Sequence, residues 1–158
     1  MKDNHEKYMR MAIAKAQEGV EKGQTPFAAC IVKNGKVLSC EHNTVWKDID
    51  ITSHGEVHAI RVACQKAKTI DLSDCVIYST CEPCPMCFSA CHWANIKTIF
   101  YGANIADAKK AGFHELAISN KTLKKMGKSS MKIIPDFLRE EAVKVFTLWL
   151  KRKDRKVY

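Results

Sequence analysis

Apolar residues recur every three or four positions near both ends of the chain. Between residues 5 and 22 this spacing predicts an amphipathic helix, which the stretch GQTP then ends. The same spacing over residues 138–152 predicts a last amphipathic helix. Each of these two helices needs an apolar surface to pack against, and the segments between them must supply it.

Strand-like and helix-like segments alternate between these two helices. FAACIVKNGKVLSC places two apolar runs around Asn34-Gly35, which predicts a β-hairpin. The polar stretch EHNTVWKDIDIT is predicted to be a loop, and CVIYST and KTIFYG are predicted to be buried strands. Helices are predicted from Ser53 as N-cap to about Ala67, from Pro85 to about Asn95, over residues 106–110, and from His114. A hairpin followed by this alternation predicts one α/β domain, residues 1–158, with a mixed sheet.

The positive charge is concentrated in the last quarter of the chain. Of the net charge of +9, residues 121–158 carry +8, with 12 basic and 4 acidic side chains. Such a segment is typical either of a nucleic-acid-binding surface or of a solvated helix. We favour the solvated helix, because no aromatic residue interleaves the basic cluster from Lys121 to Lys132. The first residues are charged and then helix-patterned, so we expect no secretory signal, no membrane partner and a cytoplasmic location.

Eight cysteines raise the question of a metal. In a chain without a secretion signal, metal binding or buried free thiols are favoured over disulfides. We predict that four of them are inert core thiols, namely Cys30, Cys40, Cys64 and Cys75. The other four lie in CEPCPMCFSAC, whose spacing C-x2-C-x2-C-x3-C is that of an iron–sulfur ligand run.

His54 offers a different interpretation of this cysteine run. It begins one predicted helix, and Cys84 and Cys87 share a face in the first turn of the next. One nitrogen and two sulfur ligands leave a fourth position of a zinc ion open to water, as in catalytic zinc sites. Glu56 follows His54 by two residues and is therefore near enough to move a proton of that water.

Each of these residues also has a plainer interpretation. Ser53-His54-Gly55-Glu56 fits a helix capping box, and HGEVH resembles the zinc-protease helix H-E-x-x-H with its glutamate misplaced. The iron–sulfur interpretation is weakened by His92, because the bacterial ferredoxin run has proline after its last cysteine. Wrapping all four cysteines around a cluster would also break the predicted helix. We therefore expect Cys81 and Cys91 to pack beside the site without binding metal.

The two-part pattern H-x-E…P-C-x-x-C resembles the signature of the zinc-dependent cytidine/nucleobase deaminase superfamily. The longer stretches TPFAACIVKNGKVLS, HGEVHAIRVAC, CEPCPMCFSACHWANIKTIFYG, DAKKAGF and KRKDRKVY are similar to bacterial guanine deaminases. This resemblance implies a three-layer α/β/α cytidine-deaminase-like fold with a mixed central sheet. It also implies one zinc ion per chain and the hydrolysis of guanine to xanthine and ammonia.

The resemblance assigns roles to particular residues. The zinc ligands would be His54, Cys84 and Cys87, and Glu56 would be the proton shuttle, with Glu115 a possible second one. The substrate contacts would be Phe27, Asn43, Trp93, His114 and Tyr158. Guanine deaminases of this type are homodimers that exchange C-terminal segments, here about residues 138–158, so that a terminal tyrosine closes the partner's site.

Three departures from the family pattern leave the substrate open. His114-Glu115 stands where the family often has two acids, His58 replaces a small or neutral residue, and Gly55 replaces an alanine, which is expected to loosen that turn. The alternatives are an adenosine deaminase acting on tRNA, or an enzyme for another aminated ring such as cytosine, an aminopurine or a triazine. A non-enzymatic alternative is a cysteine-rich metal or iron–sulfur module that binds nucleic acid.

Overall fold

The computed structural model describes residues 4–158, which form seven helices and five strands. In chain order these are α1 (His5–Glu21), β1 (Ala28–Lys33), β2 (Lys36–His42), α2 (Val45–Asp48), α3 (Gly55–Ala67), β3 (Cys75–Cys81), α4 (Pro85–Trp93), β4 (Thr98–Ala103), α5 (Ile105–Lys110), α6 (Asn120–Met126), β5 (Lys132–Ile134) and α7 (Arg139–Leu150). Within these described residues, no helix combines the length and hydropathy that a bilayer crossing requires.

The sheet is mixed, as predicted. Its strand order is β2-β1-β3-β4-β5, with β1 antiparallel to both β2 and β3, and with β3, β4 and β5 parallel to one another. The hairpin between β1 and β2 turns at Asn34 and Gly35, whose φ angles of 48° and 76° are those that a two-residue hairpin turn requires. The predicted hairpin is therefore confirmed.

Two apolar cores cover the two faces of this sheet. Successive residues of β1 point to opposite faces, so Cys30 and Val32 enter one core and Ala29 and Ile31 enter the other. The first core contains the buried faces of α1 and α7, and the second contains those of α3 and α4. The resulting layers are helix, sheet and helix, which confirms the predicted three-layer α/β/α architecture.

Several predicted boundaries are wrong. No helix begins at His114: residues 113–119 have no regular structure. Helix α6 begins only after Ser119, whose hydroxyl caps the helix by accepting a hydrogen bond from the Thr122 amide. The predicted loop between the hairpin and α3 contains the short helix α2. Strand β5 was not predicted, because three half-exposed residues carry no clear alternation and only pairing with β4 makes them a strand.

Candidate active site

Three side chains that ligate metals in other proteins converge where α3 and α4 begin. The His54 Nδ1 atom lies 3.6 Å from the Cys84 Sγ atom and 3.5 Å from the Cys87 Sγ atom. The ligand atoms of all three residues lie within 4.8 Å of one another, and among the described residues they form the group that could hold a metal ion. The structure thus brings together the three predicted ligands.

The local sequence explains this convergence. His54 is the N-cap residue of α3 and Cys84 is the N-cap residue of α4, both with extended backbones, and Pro85 begins α4 as its first helical residue. Cys87 follows in the same first turn. Both helices therefore direct their unpaired amide groups and the positive end of their dipoles towards the cluster, which favours negatively charged ligands there.

The electrostatics of the cluster favour one thiolate. The pKa of Cys84 is lowered to about 4, chiefly by a hydrogen bond from the Cys87 thiol and further by His54, against the opposing effect of burial. The pKa of Cys87 is raised, because its thiol donates that bond and is itself buried. Burial opposes a charge on His54, but its hydrogen bond with Cys84 and the nearby carboxylates outweigh burial and raise its pKa.

The other two cysteines of the run lie outside this cluster. Cys81 ends β3, and its thiol donates a hydrogen bond to the Asn104 carbonyl at 3.5 Å. Cys91 is fully buried in the core beneath α4. Burial raises the pKa of both thiols. Among the described residues, neither belongs to the group whose ligand atoms lie within 4.8 Å of one another.

Glu56 places a carboxylate beside the cluster. Its side chain is buried, and its Oε1 atom accepts a hydrogen bond from the Ser79 hydroxyl at 2.9 Å. Burial and the nearby Cys84 sulfur raise the pKa of Glu56. The capping box considered for this segment does not form: His54 rather than Ser53 is the N-cap, and the Ser53 hydroxyl donates to Asp50 instead. A buried carboxylate with a raised pKa is suited to accept and return a proton.

A cavity of about 340 Å³ opens onto the cluster, which forms part of its floor. Its walls are formed by His54, Cys84, Phe113, His114, Glu115 and Tyr158 with four neighbours. A small inner chamber of about 20 Å³ shares four lining residues with the outer cavity, namely His54, Cys84, Glu115 and Tyr158. It is also lined by Phe27, Glu56, Cys81 and Glu82. The size of the outer cavity lies at the lower end of the range for small-molecule sites, about 300–1,000 Å³.

Glu115 lies on the wall shared by the two chambers. Its pKa is raised to about 7 by burial and by the negative groups of Cys84 and Glu56. Its neighbour His114 is exposed and also lines the outer cavity. This histidine stands where the family often has a second acid beside the one at Glu115. Glu115 is therefore a second carboxyl group that lines both cavities and has a pKa near neutral pH.

The terminal tyrosine covers the cluster within the same chain. The Tyr158 ring lies 5.3 Å from the His54 ring, and its hydroxyl accepts a hydrogen bond from the Asn43 Nδ2 atom at 2.7 Å. The His114 amide in turn donates to the Tyr158 carbonyl at 3.2 Å. Exchange of this tail between two chains remains a prediction.

The other predicted substrate contacts divide into two groups. Phe27 lines the inner chamber with its ring packed edge-on against Phe113, 4.8 Å between centroids. Asn43 is fully buried directly behind the tyrosine: its Nδ2 atom donates to the Tyr158 hydroxyl, and its Oδ1 atom accepts from the Val45 amide.

The structure does not place Trp93 at the site. It ends α4, eight residues after Pro85, and this length of helix spans about 12 Å. Its side chain is 81% exposed and lines a separate apolar groove with Phe88 and Met126. The prediction that Trp93 lines the substrate pocket is therefore wrong for the chain taken by itself.

Sequence reasoning missed two residues that support the site. The Ser79 hydroxyl lies 2.9 Å from Glu56 and 2.7 Å from the Cys81 carbonyl. The buried Glu82 carboxylate accepts hydrogen bonds from the backbone amides of Asn120, at 2.8 Å, and Ile105, at 3.3 Å. These bonds anchor the starts of α6 and α5, and the segment that carries Glu115 lies between these two helices. Neither residue belongs to a recognisable spacing, so the pattern held no signal for them.

Comparison with known proteins agrees with this geometry. The family model described as MafB19-like deaminase matches residues 3–142. The chain belongs to this deaminase family. The predicted relationship to the cytidine/nucleobase deaminases is thus confirmed, and the chain is a hydrolase acting on C–N bonds of cyclic amidines.

The chain is similar to guanine deaminases and to tRNA-specific adenosine deaminases. The chain is 45% identical over 113 residues to a guanine deaminase of Bacillus subtilis, covering 71% of this chain and 72% of that protein. It is 37% identical over 107 residues to a tRNA-specific adenosine deaminase of Aquifex aeolicus, covering 68% and 70%. The solved guanine deaminase of Nitrosomonas europaea superposes with a TM-score of 0.85 at 22% identity, covering 92% of this chain and 84% of that one, and supports the fold.

Proposed function

We propose that this deaminase catalyses the zinc-dependent hydrolysis of guanine to xanthine and ammonia. The observation that carries the chemistry is the buried Glu56 carboxylate beside the His54–Cys84–Cys87 cluster at the floor of a cavity. The choice of guanine is supported by the 45% identity to a guanine deaminase.

The donor atoms fit zinc. A tetrahedral zinc ion with Zn–N near 2.05 Å and Zn–S near 2.3 Å would hold the nitrogen and each sulfur about 3.6 Å apart. The observed separations from the His54 Nδ1 atom, 3.6 and 3.5 Å, agree with that requirement. One nitrogen and two sulfurs are also a set found in catalytic sites that keep a fourth position open. When bound there, zinc would supply a water nucleophile activated at neutral pH.

The side chains then provide the proton transfers. Glu56 takes a proton from the attacking water and delivers it to the ring nitrogen next to the carbon that bears the amino group. Glu56 next takes the remaining proton of that water from the hydroxyl group added to the ring carbon and delivers it to the departing amine, so that guanine and water are converted to xanthine and ammonia. The raised pKa of Glu56 suits a group that must hold a proton between these transfers. We assign Glu115, whose pKa is about 7, as a second proton carrier for the leaving group.

Binding of the base falls to the cavity walls. We assign Phe27 to packing against the ring and Asn43 to hydrogen bonding of its edge, through the second hydrogen of its amide. Tyr158 and His114 form the cover of the cavity. We further propose a cytoplasmic homodimer working in purine catabolism, with the tail exchanged between chains; its support is the family resemblance. Light scattering of the purified protein tests the dimer.

The substrate is tested by following ammonia and xanthine formation from guanine with the purified, zinc-loaded protein. One ammonia per xanthine is expected. Turnover of cytosine or of adenosine in tRNA, without turnover of guanine, would overturn the choice of substrate.

A substitution tests the mechanism separately. Glu56→Gln and Glu56→Ala should lower kcat by a factor of about 10²–10⁴, because the proton carrier is lost, while zinc content stays at one ion per chain. Glu140→Gln on the exposed side of α7 is the matched control and should leave activity unchanged. Retained activity in both Glu56 variants would show that the assigned proton carrier is wrong.

Adenosine in tRNA is the second candidate substrate. It is favoured by the 37% identity to a tRNA-specific adenosine deaminase and by the +8 charge of residues 121–158. Binding of tRNA that weakens steeply with salt, together with inosine formation, would support it.

A further inference from the structure

A second chemically distinctive group lies on the sheet face opposite α3 and α4. Cys30 of β1 and Cys40 of β2 are directly paired residues in the antiparallel register. Directly opposed residues of such a pair point to the same face, and both side chains here pack in the core between the sheet and α1. Both thiols are free in this structure.

The geometry points to a modification site: we propose that Cys30 and Cys40 form a reversible disulfide when the protein meets a peroxide. Opposed residues of antiparallel strands have Cα atoms about 4.5–5.5 Å apart, which lies inside the range of about 4.4–6.8 Å that disulfides span. A register irregularity lies one residue further along, between Ile31 and Val32, and interrupts the regular ladder beside the pair.

The two thiols are not equivalent, which suits a two-step oxidation. Cys30 is fully buried, whereas Cys40 is partly exposed and lies 3.6 Å from the Met11 carbonyl of α1. The pKa of Cys40 is lowered by a hydrogen bond from the Cys30 thiol and by the Lys15 ammonium, against burial and two carboxylates, Glu41 and Glu18. The same bond, together with burial, raises the pKa of Cys30. Cys40 therefore attacks the oxidant, and Cys30 is held behind it as the resolving thiol.

The reaction balances with peroxide as the only co-reactant. The Cys40 thiolate attacks one peroxide oxygen, the O–O bond breaks, and a sulfenic acid and hydroxide form. The Cys30 sulfur then attacks the Cys40 sulfur, and its proton leaves with the sulfenic oxygen as water. Two thiols are oxidised by two electrons and the peroxide is reduced to two waters.

Such a bond would be labile rather than structural. Opposed strand residues hold their Cβ atoms about 4.5–5.5 Å apart, while a relaxed disulfide requires about 3.5–4.5 Å. Closing the bond therefore strains the ladder between β1 and β2, and strained disulfides are readily reduced. This favours a reversible modification over permanent cross-linking.

Peptide mapping tests the proposal on the intact, zinc-loaded protein. Hydrogen peroxide is added, free thiols are alkylated, and trypsin then cuts after Lys33 and Lys36, between the two cysteines. The expected product is a linked pair of peptides, 23–33 and 37–47, about 2 Da lighter than the two reduced peptides and separated by dithiothreitol. Cys64 falls in peptide 62–66 and, as a partly buried thiol whose pKa is raised, serves as the internal control.

Two variants test the order of attack. In Cys30→Ser the Cys40 sulfenic acid should accumulate and be trapped by dimedone, whereas in Cys40→Ser the remaining Cys30 should stay reduced. Absence of the linked peptides from the wild-type protein, or oxidation of Cys64 as fast as Cys40, would overturn the proposal. The wild-type measurement decides the question even if a variant folds poorly.

Discussion

Gly55, between the proposed ligand His54 and the proposed proton carrier Glu56, is closely opposed by the first strand. A Cβ atom added at Gly55 would lie 2.8 Å from the Ala28 Cα atom and 3.2 Å from the backbone N and C atoms of Ala28. These are backbone atoms of β1, which is bonded to a strand on each side, so they cannot rotate away. Gly55 is therefore required by close packing, and the loosened turn expected from the sequence is not its main effect.

The cost of Gly55→Ala follows from two opposing effects. Alanine favours a helix over glycine by about 1 kcal/mol, while overpacking against a rigid neighbour costs about 1–3 kcal/mol. We expect a net loss of up to about 2 kcal/mol in the free energy of unfolding. Ordinary contact begins at 3.4 Å, so the start of α3 must retreat by about 0.6 Å. Since a misplacement of about 1 Å can cost a factor of 10², kcat/KM should fall about 10- to 100-fold.

Urea unfolding and steady-state kinetics measure the two effects separately. Gly102→Ala is the matched control, because its new Cβ atom would collide with the Ala142 side chain of α7, on the opposite face of the sheet from α3. That variant should lose stability but keep its activity per folded molecule. The reasoning is refuted if Gly55→Ala retains wild-type stability and kcat/KM, or if Gly102→Ala loses as much activity.

Three further predictions concern the site. Ser79→Ala removes a hydrogen bond to the Glu56 carboxylate, worth about 1.5 kcal/mol or more, and should lower kcat about tenfold. KM should change little, because Ser79 lines neither cavity, and an equal rise in KM would contradict this. In the metal-free protein the Glu115 pKa of about 7 exceeds its ordinary value of 4.5, so the folded state holds the extra proton between these values. Its stabilising contribution is complete below pH 4.5 and is lost as the pH rises through about 7. Chemical denaturation across this range should show a decline in the free energy of unfolding that Glu115→Gln lacks. Removal of zinc with a chelator should lower the free energy of unfolding by about 4 kcal/mol if the free zinc concentration had been about 1,000 times its dissociation constant. In thermal melts, Cys84→Ser should abolish this response and Cys64→Ser should retain it.

The residue pattern alone determined the layered architecture and most of the proposed chemistry. Hydrophobic periodicity indicated the outer helices, the hairpin and the buried strands, because burial on one or two faces dictates which positions must be apolar. The three proposed ligands and Glu56 were identified because their spacing, H-x-E…P-C-x-x-C, repeats the deaminase signature. Each half of this pattern lies at the start of one helix, so short-range spacing was enough to predict that the residues meet. The pattern failed where tertiary contacts outweigh local preference. The segment after Phe113 does not form a helix. Its His114 amide bonds to the Tyr158 carbonyl, and at its other end Glu82 accepts from the Asn120 amide at the start of α6.

Only the tertiary structure decided which residues meet. The family resemblance assigned Trp93 to the substrate pocket, but it lies at the far end of the nine-residue helix α4 and is exposed. Ser79 became a partner of Glu56 because β3 passes beneath the start of α3, a contact across 23 positions that no spacing encodes. Cys30 and Cys40 looked like two separate core thiols until the strand register placed them opposite each other. Contacts between distant segments depend on register and layer packing, and these are properties of the folded chain as a whole.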